Sequence, residues 1–328
     1  MAKTIGWGIL GTGGIATAFA ADLVATGMTI AAVGSRSQKS ADAFAAAHGI
    51  PTAHPSYQAL VDDPEVDAIY VSTPHPFHAD NARLALLAGK HVLVEKPFAL
   101  NAAEAADVVE LAESRGLVVL EAMWTRWLPH MVRIREIIAA NTLGEVRTVI
   151  ADHNQKLSTD PKHRLNNPNL GGGALLDLGI YPVSFAWDVF GAPATVTAIS
   201  SPTVTGVDRQ TAILLGYEAG RQAVLHTALD ALGPNTASVI GTEGRIDIDS
   251  IWYDATSFTV YDSENKIVER FDEKVVSRGM QYEAWELERL VAEGSTAGVI
   301  LPPSETVAIM GTLDEIRSQI GLRYPGDR

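Results

Sequence analysis

The sequence predicts an α/β chain with a doubly wound parallel sheet in its N-terminal part, followed by an α+β region built on a large, mainly antiparallel open sheet. Three observations carry this prediction. Short apolar runs alternate with longer amphipathic ones through residues 1–122; strand-like runs separated only by turn residues dominate after about Trp124; and a glycine cluster joins the first apolar run to the first amphipathic one. Near-continuous apolar strands alternating with helices imply a parallel sheet covered on both faces. A length of 328 residues exceeds what one core usually serves, so two domains are expected, 1–122 and 123–328, with a ligand site in the crevice between them.

Taken in order, "IGWGIL", "TIAAVGS", "DAIYVST", "HVLVEK" and "LVVLEA" are the strands of the first domain. "IATAFAADLVAT", "SADAFAAAHG", "ADNARLALLAG" and "AAEAADVVELAESRG" are its helices, several ending at Gly. Asn101 is a candidate cap, and Glu104 three residues later completes a pattern like a capping box. In the second domain "EVRTVIADHN", "ATVTAISSPTVTG", "RQTAILLGYE", "RQAVLHTALD", "ASVIGTEGRIDID", "SFTVYDS" and "KIVERFD" read as strands. One helix, residues 173–190, interrupts them, and "QYEAWELERLVAEG" and "SETVAIMGTLDEIRSQIG" follow as two more. Tyr282, Trp285 and Leu290 in the first of these read as core filling.

Composition excludes several classes. Twenty-five basic against 39 acidic side chains give a net charge of −14, which repels a nucleic-acid backbone or an anionic membrane surface. Cys is absent, which removes disulfides and thiolate metal sites and suits a reducing compartment. With no secretory leader and no bilayer-length apolar run in sight, a cytoplasmic location is the expectation.

The turn Gly11, Thr12, Gly13, Gly14, Ile15 carries the spacing G-x-G-x-x-A, with Ala16 in the last place, directly after the first strand. Gly11 allows the tight turn, Gly13 lets backbone approach a pyrophosphate, and Ala16 lets helix and strand pack closely. This is the fingerprint of a Rossmann dinucleotide site. At the end of the second strand, where NAD-binding folds place an acid on the ribose, Ser35 and Arg36 stand instead. A guanidinium can clamp a 2′-phosphate, so NADP(H) is favoured and NAD(H) stays open. Lys39 is a further candidate; the plain alternatives are a solvated loop residue for Arg36 and decoration of the next helix for Lys39.

Two strands end in a polar residue and a proline, at Thr73 and Pro74 and at Glu95, Lys96 and Pro97. Carboxyl ends of parallel strands are where such folds bind ligands, so these ends read as a wall for a flat ring, with His75 and His78 beside it on the cofactor. The H-x-x-H spacing of that pair is not taken as a metal site, because no third ligand accompanies it. Lys96 also has a purely structural reading, as a partner for Glu95.

"GILGTGGIA", "STPHPFHADNARLALLAGKHVLVEKPFAL", "EAMWTRW" and "GGGALLDLGIYPVSF", in this order, resemble the glucose-fructose oxidoreductase and inositol dehydrogenase family, Gfo/Idh/MocA, over nearly the whole chain. The resemblance implies an NAD(P)-dependent oxidoreductase acting on a sugar, polyol or dihydrodiol, with Lys96 of the E-K-P signature near the reacting carbon. Tyr181, where many members carry His, is similar to the subgroup of dihydrodiol and D-xylose dehydrogenases and implies a tyrosine acid/base. Alcohol oxidation needs a base to take the hydroxyl proton as hydride leaves. Free tyrosine titrates near pH 10, a gap worth roughly 4 kcal/mol at neutrality, and an ammonium nearby favours the phenolate.

Glu95 is expected to orient Lys96, and Asp177, four residues before Tyr181, to meet substrate or Tyr181 from the same helix face. Trp124 and Arg126, with Trp127, sit at the crossing between domains and are candidates for cofactor or substrate contact. The polar stretch from Asp152 to the glycines at 171–173 offers His153, Asn154, His163 and Arg164 as substrate contacts. A homodimer through an uncovered face of the second sheet is the expected assembly. A ligand sensor that binds a dinucleotide without turnover is the alternative function.

Overall fold

The structure is a computed structural model that describes residues 5–325 and 327. In chain order it places β1 (Trp7–Leu10), α1 (Gly14–Ala25), β2 (Ile30–Gly34), α2 (Gln38–His48), β3 (Thr52–His54), α3 (Tyr57–Val61), β4 (Ala68–Val71), α4 (His78–Leu87), β5 (His91–Glu95), α5 (Ala102–Arg115) and β6 (Val119–Ala122). There follow α6 (Pro129–Ala139), β7 (Val146–Asn154), α7 (Ile180–Phe190), β8 (Thr195–Pro202), β9 (Asp208–Gly216), β10 (Gln222–Ala228) and β11 (Ala237–Gly241). The chain continues with β12 (Gly244–Ile248), β13 (Phe258–Asp262), β14 (Ile267–Phe271), α8 (Gln281–Glu293) and α9 (Pro303–Ile320).

Contacts group the chain into two compact units: the chain through Trp124 with Val276–Val307, and Thr125–Val275 with the chain from Ala308 onward. Two contiguous domains split near 122–127 were expected; the segment 276–307 instead returns to the first unit. The reason is polar as well as apolar. Asp22 on α1 accepts hydrogen bonds from Ser277 Oγ and from the N–H groups of Arg278, Gly279 and Met280, and Glu288 on α8 accepts from Trp7 Nε1 at 3.0 Å.

In the first unit the parallel sheet runs β3-β2-β1-β4-β5-β6, the strand order of a doubly wound dinucleotide fold. β1, β4 and β6 are buried along their whole length, as strands covered on both faces must be. Phe19 stacks on Tyr70 at 3.8 Å between ring centroids, and Trp7 meets Phe19 edge-on at 5.5 Å. Each such side chain withdrawn from water contributes about 2–3 kcal/mol.

The second unit holds an eight-stranded sheet, β14-β13-β12-β11-β7-β10-β9-β8, in which only β7 and β10 run parallel. "ASVIGTEGRIDID", expected as one strand, is the hairpin β11–β12, turned at Thr242 and Glu243. α6 was not anticipated; its β-branched Val132, Ile134, Ile137 and Ile138 hide a helical period behind strand-forming residues. The run expected as one helix from 173 to 190 opens with a π-helical stretch, Leu175–Gly179, before α7. Both pieces pack on β7 and β10. Gly179 permits the contact, since a Cβ there would press on Thr227 Cγ2 at 3.1 Å.

Candidate active site

In the first unit the glycine turn leads from β1 into α1 beside β4, where the strand order reverses. Gly11 sits at φ +118°, and a Cβ on it would meet Ser72 Oγ at 2.7 Å, so the position demands glycine. Gly13 and Gly14 face open space. Gly13 is the N-cap of α1 and offers no side-chain cap, so the first N–H groups of the helix are left for a ligand. Anions bind at such termini, and a pyrophosphate fits this turn. Thr12 Oγ1 lies 3.5 Å from Ser35 Oγ at the end of β2. Ser35 is buried, while Arg36 is exposed, lies near Tyr57, and makes no ion pair among the described residues.

The E-K-P end of β5 is tied to the end of β4. Glu95 is buried, accepts the Tyr70 hydroxyl at 2.5 Å and the Lys96 N–H at 3.2 Å. Burial raises the Glu95 carboxyl, and Lys96, the Tyr70 hydroxyl and Arg278 work against that rise. His78 holds the two strand ends together, its ring nitrogens lying 2.8 Å from the Pro97 carbonyl and 2.6 Å from that of Thr73. Burial pushes His78 down to about 4, so the ring is neutral and has one N–H to share between two carbonyls. Both nitrogens are thus directed at backbone, and the side chain is spent on joining Thr73 to Pro97. Thr73 Oγ1 accepts from Asn81, and the buried His75 ring meets His78 edge-on at 5.7 Å. Trp124 is buried with the Arg278 guanidinium 4.8 Å over its ring. Among the described residues no cluster of acids and histidines has metal-binding geometry.

Beneath these strand ends lies a group of buried acids. Glu121 accepts from Phe98 N–H and Thr306, while Glu283 on α8 is wholly buried with neither oxygen hydrogen-bonded among the described residues. Burial first, then the charges of Glu95, Asp22 and Glu121, raise Glu283 well above the usual carboxylate range.

In the second unit Tyr181 lies in the first turn of α7, 7% exposed. It meets His153 edge-on at 5.0 Å and Tyr253 at 5.4 Å, and Tyr253 stacks on His153 at 3.7 Å. Gln155 Nε2 donates to the Tyr253 hydroxyl at 3.3 Å, and burial pushes that hydroxyl up to about 12. Asp177, in the π-helical stretch, pairs with Arg164 at 3.0 Å. Such stretches often occur at functional sites.

Two of the candidates have partners within the second unit. Arg126 is buried and its guanidinium donates to Ser184 Oγ, to the Ser184 carbonyl and to Asp188, which ties it to α7. Asn154 belongs to β7 and its amide is engaged at both ends, donating to Asp152 and accepting from His226, in a buried polar knot. Tyr70, Tyr253, Asp208 and Glu283 were missed. Tyr70 and Glu283 sit in ordinary apolar patterns, and Tyr253 falls in an irregular turn with no motif to mark it.

An open helix N-terminus at the switch point of a doubly wound sheet places the first unit among dinucleotide-binding domains. Comparison with known proteins narrows the class. Residues 5–123 match the model of an oxidoreductase family with an NAD-binding Rossmann fold, and residues 131–247 match the GFO/IDH/MocA C-terminal domain. The chain belongs to the Gfo/Idh/MocA family and is a nicotinamide-dependent oxidoreductase.

It is similar to the trans-1,2-dihydrobenzene-1,2-diol dehydrogenase of Xenopus laevis, 35% identical with 97% of this chain and 99% of that one covered. The enzyme of the same description from Mus musculus is also 35% identical, with 98% of each chain covered. Among solved structures, an aldose-aldose oxidoreductase from Caulobacter crescentus complexed with glycerol matches with a TM-score of 0.85 at 24% identity over 97% of each chain. A 3-ketoreductase from Actinomadura kijaniata in complex with NADP and TDP-benzene matches with a TM-score of 0.84 at 24% identity, over 97% of this chain and 98% of that one. These last two likenesses are of fold.

Proposed function

We propose that the protein is an NADP-preferring dehydrogenase that interconverts a secondary alcohol and a carbonyl on a small cyclic substrate, a dihydrodiol, sugar or polyol. The observation that carries this reading is the full-length similarity to dihydrodiol dehydrogenases, with both chains covered almost end to end. The nicotinamide, when bound, supplies the hydride acceptor or donor. Gly11 to Ile15 hold the pyrophosphate on the first N–H groups of α1, and Arg36, exposed and without an ion pair among the described residues, takes the 2′-phosphate.

Tyr181 takes the hydroxyl proton in oxidation and returns it in reduction, with Lys96 assisting. Glu95 keeps the E-K-P turn in place through the Lys96 N–H. The faces of Tyr181, His153 and Tyr253 suit a flat or cyclic substrate, and Asp177, with Arg164, suits its hydroxyls.

The assembly is a homodimer through the second sheet. Ile150, Val224 and Leu214 lie side by side in register on β7, β10 and β9, each 44–45% exposed, with Ile199 nearby on β8 at 73%. Such a row on an open sheet suits a self-complementary interface.

The test is turnover of Tyr181→Phe against wild type with NADP+ and a panel of dihydrodiols, sugars and polyols. A loss of about 100-fold or more in kcat with NADPH binding kept is expected. Unimpaired turnover would remove Tyr181 from proton transfer. NADPH binding by the wild type with no absorbance change on any substrate would favour a sensor.

A further inference from the structure

Asp208 opens β9 and is 3% exposed. Its Oδ2 accepts hydrogen bonds from the Leu175 N–H at 2.8 Å and from Thr211 Oγ1 at 2.9 Å. The N–H groups of Ala174 and of Asp208 itself also favour its ionised form. Ala174 and Leu175 begin the helical run that carries Asp177 and Tyr181, and the residue at its N-cap, Ala174, supplies no side-chain cap. The opening N–H groups of a helix have no partner inside it. Here a carboxylate from a neighbouring strand satisfies them. The glycines before the helix make this approach possible: Gly173 has φ +127°, and a Cβ on it would lie 2.1 Å from Asp208 Oδ1. The carbonyl of Gly172 is held in turn by the Tyr324 hydroxyl, which donates to it at 2.7 Å.

We propose that Asp208 is a positioning residue for proton transfer: its ionised carboxylate fixes the first turn of the 175–190 helical run, and with it the placement of Asp177 and Tyr181, and protonation of that carboxylate weakens the hold. This rests on the acid/base reading of Tyr181. Oδ1 is buried without a hydrogen-bond partner among the described residues, so the charge is held at a cost that a merely structural cap would not require. Burial pushes Asp208 up to about 6, against the pull of Thr211 and of the N–H groups of Leu175, Asp208 and Ala174.

The ionisable groups around it are few. Tyr324, raised by its own burial and then by the Asp208 charge, faces it from the C-terminal segment. Farther out, on the other side of that phenol, are Asp177 with Arg164, and Arg317 with Asp327. Because the folded-state value is raised, Asp208 contributes stability that is complete below the usual carboxylate range and lost as pH rises through about 6. The hold on the helix has the opposite sense, stronger above that pH and weaker below it.

The test measures kcat for NADPH-dependent reduction of 2-hydroxycyclohexanone, a cyclic hydroxyketone of the proposed substrate class, by the full chain from about pH 5 to about pH 8. In this direction Tyr181 donates a proton, and the Asp208→Asn variant separates an acid limb due to Asp208 from one due to any other group, His153 included. Wild-type kcat is expected to fall below pH 6. For Asp208→Asn the acid limb is expected to vanish, with kcat at the alkaline end lower by about tenfold or more and the KM for NADPH unchanged. An Asp208→Asn profile that superimposes on wild type would overturn the proposal.

A second measurement needs no variant. Amide hydrogen exchange in the wild-type protein should show protection at Leu175 falling below pH 6 while the interior of β9 keeps its protection; constant protection at Leu175 would equally overturn it. The two readings fail separately. Retained turnover in Tyr181→Phe would strike the acid/base assignment, whereas the exchange at Leu175 reports on Asp208 whatever that outcome.

Discussion

At the level of single residues, chemistry was legible where a motif ties residue type to backbone geometry. Gly11 could be read because only glycine fits its positive φ against Ser72, and the position of E-K-P because the motif ends a parallel strand. Glu283, Asp208 and Tyr253 were not legible, because what distinguishes them is burial against partners far away in sequence. Two predictions belong here. Arg36→Ala should weaken NADPH binding by about tenfold to a hundredfold and leave NADH nearly untouched; equal losses in paired titrations would cancel the cofactor preference.

Glu283 gives a pH prediction whose sign follows from its raised value. A raised carboxyl stabilises the fold while protonated and ceases to do so as pH climbs through its folded-state value. Thermal melts of Glu283→Gln, an uncharged isostere, should therefore lose less Tm than wild type as pH rises from about 4.5 through neutral. Parallel Tm curves for the two proteins would show that Glu283 is not the titrating group.

At the level of elements, the helices of the first unit could be placed because their ends carry local signals. Asn101 Oδ1 accepts the Glu104 N–H at 2.9 Å, and Glu104 reaches back to the Leu100 N–H at 3.2 Å, one residue earlier than a standard capping box. Asn101→Ala should lower stability by about 1 kcal/mol in urea titrations, with the slope unchanged; no shift in midpoint would mean that the cap is replaced by solvent. The π-helical stretch before α7 could not be foreseen from sequence, because it depends on Asp208 and the glycines seated against it rather than on the period of "LLDLG". The same limit hid the hairpin β11–β12, whose turn at Thr242 and Glu243 lacks the usual Asn-Gly signature.

For the whole molecule, the alternation of apolar and amphipathic runs revealed both sheets, while the exposed row Ile150, Val224 and Leu214 emerges only once strand register is known. The proposed homodimer predicts a dimeric mass for wild type and a monomeric one for Leu214→Lys in light scattering, since paired ammonium groups cannot be buried at a two-fold axis without large cost. An unchanged mass would move the interface elsewhere.

The return of residues 276–307 to the first unit bears on biogenesis. A nascent chain that has emerged only through β6 carries Asp22 without the Ser277 hydroxyl and the three amides that satisfy it, and Trp7 without Glu288. Completion of the N-terminal sheet unit must await translation of nearly all that follows, so an N-terminal fragment would leave the ribosome with an acid and an indole still unmatched.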